Sequence, residues 1–92
     1  MEYYVYILTN KTNHVLYTGV TNDLTRRTLE HIYKIDNSGF AERCNCNKLV
    51  FYEITTDIKN AIEREKHIKG MNRVKKIKLI ENFTPQWNDL FI

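Results

Sequence analysis

The sequence predicts an α+β domain in which helices flank a three-stranded antiparallel sheet. Three segments rich in aromatic and β-branched residues predict the strands, and three segments with apolar residues at spacings of three and four predict the helices. The chain has 92 residues, of which 42% are hydrophobic and 27% are charged. These values are typical of one soluble globular domain over residues 1–92, and they exclude a disordered chain and a membrane-spanning one.

The first two strands are predicted to form a hairpin. Tyr3–Thr9 and His14–Val20 carry the strand-forming residues, and the turn-forming segment Asn10–Asn13 separates them. Side chains alternate along a strand, so Tyr6 and Val5 point to opposite faces of the sheet. We expect one face to be core and the other to be partly a working surface.

The first helix is predicted over Leu24–Ile35. Thr21–Asp23 offers side chains that suit an N-cap, and apolar residues then recur along one side of the segment. The turn-forming stretch Asp36–Gly39 ends this helix. The next segment, Phe40–Lys48, has no clear period and is expected to be an exposed loop.

The third strand and the second helix follow in order. Leu49–Thr55 has the length and composition of a strand that extends the hairpin. Thr56 or Asp57 is expected to cap a helix that runs to about Lys69. Gly70 is expected to end it, since glycine commonly follows the last helical residue.

A third helix is predicted from Asn72 to about Asn82, and Pro85 prevents its continuation. The hydrophobic tail Trp87–Ile92 is expected to dock on the sheet or the helices. The third helix should point its lysines to solvent and bury Val74, Ile77 and either Leu79 or Ile80.

Positive charge is concentrated in one part of the chain. The formal net charge is +3, yet residues 58–80 hold eight basic side chains and two acidic ones. Such a block is a plausible surface for phosphate groups, and the alternative is an ordinary solvated helix face. The candidate nucleic-acid-binding residues are Lys59, Lys66, Lys69, Arg73, Lys75, Lys76 and Lys78.

The two cysteines, Cys44 and Cys46, are separated by one residue. This spacing is poor for a mutual disulfide, and two sulfurs are too few for a closed zinc site. We therefore expect reduced, inert thiols. The N-terminus also lacks a basic region before its short apolar run, which argues against a secretion signal and favours a cytoplasmic location.

Five polar residues from three elements could converge. Tyr6 and Tyr17 lie near the middles of neighbouring strands, and Arg27 and His31 are four residues apart on one helix face. Glu65 lies among the apolar residues of the second helix. One interpretation is structural, with half-buried tyrosines, an Arg27–Glu65 salt bridge and a surface histidine; the other is a catalytic site.

The order and spacing of these residues resemble the start of a GIY-YIG nuclease domain. The matching segments are, in order, Tyr4–Tyr6, Tyr17–Gly19, Asn22–Arg27 and His31. Further along the chain, Ala61–Lys69 with Glu65 is similar to the glutamate helix of that family. Asn82–Leu90 resembles the tail of its short UPF0213-type members.

Three substitutions depart from the two motifs after which the family is named. Tyr4 and Val5 replace glycine and isoleucine in the first motif, and Thr18 replaces isoleucine in the second. None of these changes removes a phenol group, so the chemistry that the resemblance implies is retained.

The resemblance implies hydrolysis of phosphodiester bonds in DNA with one divalent ion, Mg²⁺ or Mn²⁺. Glu65 would hold the ion, since a hard oxygen ligand suits an ion that keeps part of its water shell. Arg27 would bind the scissile phosphate with its planar fork. Tyr6 would be the general base, Tyr17 would orient the water, and His31 would relay the proton. The roles of the two tyrosines could be exchanged.

Three classes of function are open at this point. The first is a metal-dependent DNA endonuclease, either repair-related or selective for nucleic-acid structure. The second is a nucleic-acid-binding module of the same fold with little or no cleavage, and the third is a structural adaptor. A 92-residue domain has few contacts beyond its active site, so specificity would come from a protein partner or from a homodimer. Branched, nicked and single-stranded DNA and RNA are all open as substrates.

Overall fold

The computed structural model describes residues 1–33 and 46–91. Within these ranges the strands form one antiparallel sheet of order β2-β1-β3, and helices flank it, as predicted. The strands are β1 (Tyr3–Thr9), β2 (Leu16–Thr21) and β3 (Lys48–Thr55). The helices are α1 (Leu24–Ile32), α2 (Ile58–Gly70) and α3 (Arg73–Phe83).

The second strand begins later than predicted, at Leu16 instead of His14. The side-chain oxygen of Asn10 accepts hydrogen bonds from the backbone N–H groups of His14, at 2.8 Å, and Val15, at 3.1 Å. These donors therefore serve the turn and not the strand ladder. Asn13 completes the turn with a φ of 61°, in the left-handed region that asparagine tolerates better than most residues.

Local side-chain caps set where the helices begin. The carboxylate of Asp23 accepts from the backbone N–H of Arg26, Asp57 caps α2, and Asn72 caps α3. Gly70 is the last residue of α2 and not the residue after it, because the next backbone N–H, of Met71, still bonds to a helical carbonyl group. The predicted end of the first helix at Ile35 and the predicted loop up to residue 45 lie outside the described residues.

Both faces of the sheet bury side chains, and the Tyr6 face is covered only in part, since Ile54 on that face is 53% exposed. On one face Val5 and Ile7 belong to a buried cluster with residues of α2 and α3. On the other face Tyr6 and Leu8 are equally buried, and the C-terminal tail packs against their cluster. The predicted docking of the tail is confirmed by Leu90, whose backbone N–H donates to the carbonyl oxygen of Leu49 at 2.7 Å.

Two predictions are wrong, one about helix packing and one about the oxidation state of a cysteine. Val74 is 63% exposed, because only the side of α3 that carries Ile80 reaches the core. Cys46 is fully buried and disulfide-bonded, so the expectation of a reduced thiol fails at this position. Cys44 lies outside the described residues.

In the described ranges no helix combines the length and the apolar character that crossing a membrane requires.

The ring of Tyr6 lies against Gly19. The two residues face each other in the antiparallel pairing of β1 and β2. A Cβ atom on Gly19 would lie 2.6 Å from Tyr6 Cζ and would also collide with the hydroxyl oxygen. Only glycine leaves room for a ring at this position, which explains why the motif Tyr17–Gly19 ends in glycine.

Replacement of Gly19 by alanine should destabilise the fold. The buried Tyr6 ring cannot shift without disturbing its neighbours, so Gly19→Ala should lower the free energy of unfolding by about 1–3 kcal/mol. Gly70→Ala is the matched control, since its Cβ would meet no atom within 4 Å. This control should be neutral or stabilising by up to about 1 kcal/mol. Urea denaturation of both variants measures the difference, and equal stabilities would show that the close packing carries no energetic cost.

Candidate active site

The hydroxyl oxygen of Tyr6 is contacted by two nitrogen atoms from α1. Arg27 Nε donates to it at 3.3 Å, and His31 Nε2 lies 3.4 Å away in a second hydrogen bond. Arg27 and His31 are one helical turn apart, so both side chains can reach the same point on the sheet. Tyr6 is 1% exposed and His31 is 6% exposed, so this group of polar atoms is held in a buried environment.

Tyr17 adds a second phenol to this group. It lies on β2 opposite Leu8, on the face of the sheet that carries Tyr6. Its ring centroid is 5.0 Å from that of His31 and 6.4 Å from that of Tyr6. Because Tyr17 is half-buried, it connects the buried Tyr6 hydroxyl group with the surface at the edge of the sheet.

Arg27 is oriented by a residue that the sequence analysis missed. Its Nη1 atom donates to Glu30 at 3.1 Å, and Arg26 donates to the other oxygen of the same carboxylate at 3.0 Å. The signal was present in the sequence, since Glu30 follows the two arginines at the helical spacings of four and three. The alternative Arg27–Glu65 salt bridge is wrong, because each of these residues has a different ionic partner. Arg26 faces solvent, with its side chain 57% exposed.

Glu65 approaches from the other layer of the fold. It lies on α2, which packs on the Val5 face of the sheet. Its side chain is 17% exposed, and its carboxylate pairs with Lys69 Nζ at 3.3 Å. Lys69 in turn lines a surface depression with Tyr17. The structure thus joins Tyr6, Tyr17, Arg27 and His31 in one cluster and places Glu65 on an adjacent element.

Tyr4 is not equivalent to Tyr6. Its hydroxyl group donates to Glu2 at 3.3 Å. Burial, together with the nearby Glu2 carboxylate, raises the pKa of the Tyr4 phenol above its ordinary value. A phenol with a raised pKa stays protonated at neutral pH and is a poor base.

The chain matches a known protein family over most of its length. Residues 2–78 match the family described as the GIY-YIG catalytic domain. The chain belongs to the GIY-YIG family. This family is generally one of endonucleases, and its nucleases typically use divalent metal ions.

Several relatives and one solved structure share the short form of the domain. A UPF0213 protein of Syntrophus aciditrophicus is 33% identical over 85% of this chain and 88% of the relative. One of Clostridium perfringens is 36% identical over 86% of this chain and 83% of the relative. The solution NMR structure of a UPF0213 protein from Bacillus halodurans is 30% identical, with a TM-score of 0.59, and covers 98% of this chain and 95% of that one. The resemblance to short UPF0213 members is therefore confirmed.

The acidic residues of this GIY-YIG domain suit a metal ion only in part. Among the described residues, no three His, Cys, Asp or Glu side chains come close enough together to form a metal-binding group. Glu65 offers one carboxylate, which is a hard oxygen donor on a side chain that is 17% exposed. This donor fits an ion such as Mg²⁺ or Mn²⁺ that keeps several waters and takes further oxygens from a phosphate.

The predicted basic surface is formed by α2 and α3. Apart from the half-buried Lys76, its members are exposed, as predicted: Lys59, Lys66, Lys69, Arg73, Lys75 and Lys78. Lys69 and Lys76 line a depression of about 340 Å³ with Tyr17. Lys66 and Lys75 line another of about 430 Å³ at the junction of the two helices. The surface therefore begins next to the tyrosine cluster and continues away from it.

Proposed function

We propose that the protein is a divalent-metal-dependent endonuclease that hydrolyses phosphodiester bonds in DNA. One domain spanning residues 1–92 would carry this activity, and its proposed location is the cytoplasm. One observation carries the proposal: the Tyr6 hydroxyl oxygen lies between Arg27 Nε and His31 Nε2 in a member of the GIY-YIG family.

Tyr6 is the general base in this proposal. A phenol has an ordinary pKa of about 10, so it needs a nearby cation to accept a proton from water at neutral pH. The guanidinium group of Arg27 lies 3.3 Å from the phenol oxygen and stabilises its anionic form. His31 receives the proton through its own hydrogen bond to the same oxygen. These contacts support Tyr6 as the base.

Tyr17 and Arg27 position the reacting groups. Tyr17 is half-buried beside His31, where its hydroxyl group orients the attacking water. Hydrogen bonds to Tyr6 and Glu30 fix the plane of the Arg27 guanidinium. A planar fork held in this way binds a phosphate with little loss of rotational freedom, and its charge stabilises the transition state.

Glu65 completes the site from α2. When bound there, Mg²⁺ or Mn²⁺ would supply Lewis-acid stabilisation of the departing oxygen. Glu65 would contribute a single carboxylate, so the affinity of the free protein for the ion should be weak. The rest of α2 and α3 would hold the nucleic acid through lysine and arginine contacts to phosphates.

A binding module with little cleavage is the second candidate function. The ion pair between Glu65 and Lys69 favours it, because the ammonium group of Lys69 occupies the carboxylate that would hold the metal. Both candidates share the basic surface, so cleavage and not binding separates them. DNA repair is one role that suits an endonuclease without further specificity, and a homodimer or a protein partner would supply selectivity.

Cleavage should require both Glu65 and Arg27. The test uses linear, nicked, flap and branched DNAs with Mg²⁺ or Mn²⁺. Glu65→Ala and Arg27→Ala should each reduce the cleavage rate by at least about 100-fold, since each removes charge stabilisation of the transition state. Neither variant should lose DNA binding, because the basic helices are unchanged. Wild-type protein that binds every DNA and cuts none would leave the binding module as the function.

The affinity for nucleic acid should depend strongly on salt. Each phosphate neutralised on duplex DNA contributes about 0.9 to the slope of log affinity against log salt concentration. Lys75→Gln should lower that slope by about this amount. Lys11→Gln, which removes the same charge from the turn between β1 and β2, is the control and should leave the slope unchanged. Fluorescence anisotropy over a range of salt concentrations measures both, and a salt-insensitive affinity would contradict the electrostatic surface.

A further inference from the structure

A surface depression joins the basic helices to the tyrosine cluster. Lys69 from the end of α2 and Lys76 from the first half of α3 line it together with Tyr17 and Thr18 of β2. Because β2 is an edge strand of the sheet, the depression lies where the two layers of the fold meet. Two ammonium groups therefore flank a half-buried phenol of the proposed active site.

The frame of this depression is held by specific contacts. Arg73 Nη2 donates to the carbonyl oxygen of Asn13 at 3.1 Å, which fastens the start of α3 to the turn before β2. Asn72 caps α3, and Met71 packs against the apolar cluster beneath. The backbone positions of the two lysines are thus fixed relative to β2, while their ammonium groups can swing on flexible side chains.

Lys69 has two groups within reach. In the present structure its ammonium group pairs with Glu65 at 3.3 Å. The Lys69 side chain is 55% exposed, whereas the Glu65 side chain is 17% exposed, so the lysine side chain has more freedom to move. An ion pair with so exposed a member contributes little to stability, and breaking it costs little.

We propose that Lys69 is an exchangeable counter-ion between Glu65 and a phosphate subsite. In the free protein it neutralises Glu65. When nucleic acid binds, a phosphate next to the scissile one enters the depression and forms ion pairs with the ammonium groups of Lys69 and Lys76. The released carboxylate of Glu65 then accepts the divalent cation. This inference rests on the proposed function and adds that nucleic acid and metal bind with positive coupling.

The physical basis is competition between two cations for one carboxylate. A divalent ion at Glu65 and the ammonium group of Lys69 repel each other at the distance of the present ion pair. A phosphate in the depression offers the ammonium group an equivalent charged acceptor. In the free protein Glu65 and Lys69 neutralise each other. With both ligands bound, Glu65 pairs with the divalent ion and Lys69 pairs with the phosphate. Either ligand alone would leave one of these two side chains without an opposite charge.

The test compares three variants of exposed lysines on α2. Lys69→Gln removes the counter-ion, and Lys69→Arg keeps the positive charge. Lys66→Gln is the control, because Lys66 is also exposed on α2 but lines the other depression. The first readout is titration of the free protein with Mg²⁺, followed by NMR shifts around Glu65. The second is the affinity for a DNA duplex without metal.

We expect the two readouts of Lys69→Gln to move in opposite directions. Mg²⁺ should bind about two- to five-fold more tightly, as the loss of a partly exposed competing ion pair implies. DNA should bind more weakly, with a salt slope lower by about 0.9. Lys66→Gln should weaken DNA binding and leave Mg²⁺ binding as in wild type. Lys69→Arg should have the Mg²⁺ affinity and the DNA affinity of wild type.

Two outcomes would overturn the inference. One is Mg²⁺ binding by Lys69→Gln that equals wild type or is undetectable. The other is tighter Mg²⁺ binding in Lys66→Gln by the same factor, which would reduce the effect to net charge. Neither readout involves cleavage, so a protein that fails to cut DNA but shows the exchange refutes the proposed endonuclease alone. A protein that cuts DNA and shows no exchange refutes only the role of Lys69.

Discussion

The contact between the ring of Tyr6 and Gly19 is the constraint on which the rest of the site depends. It brings a large aromatic side chain onto the one position of β2 that has no side chain. The ring is thereby fully buried, and its hydroxyl oxygen stands where two residues of α1 can reach it. A different residue at position 19 would move the phenol oxygen, and a shift of even 1 Å in a reacting group costs heavily in rate.

The sheet divides the proposed machinery into two layers. The tyrosines, Arg27 and His31 lie on the α1 side, whereas Glu65 and the basic helices belong to the opposite side. The edge strand β2 is the bridge between them, because Tyr17 contacts the cluster on one side and the lysine depression on the other. Substrate that spans this edge would touch both layers, which explains how so small a domain could assemble a complete site.

Local sequence patterns predicted most of the fold and part of the site. The bounds of β1 followed from the sequence, and the caps Asp23 and Asp57 lie within the predicted capping segments, since alternation and N-capping act over a few residues. Asn72, which was predicted to be the first residue of the third helix, is its cap. The start of β2 did not follow from the sequence, because a single Asn10 side chain takes the donors of the strand. Packing also escaped prediction, since the exposure of Val74 depends on how α3 is rotated. The pairing of Arg27 with Glu30 could be read from their helical spacing, whereas the pairing of Glu65 with Lys69 instead of Arg27 depends on where α2 packs. Spacing could place the five polar residues on their elements, but not relative to each other across the sheet.

The most direct test of the central claim is single-turnover cleavage of DNA by Tyr6→Phe in the presence of Mn²⁺. Phenylalanine keeps the ring that packs on Gly19 and removes only the oxygen that Arg27 and His31 contact. The DNA affinity of this variant should stay close to that of wild type, and its free energy of unfolding should fall by about 1–3 kcal/mol, since two buried hydrogen bonds lose their partner. The cleavage rate should fall by at least about 100-fold, as expected on removal of a general base. Cleavage at the wild-type rate would contradict the account, since the buried hydroxyl group would then have no part in the chemistry.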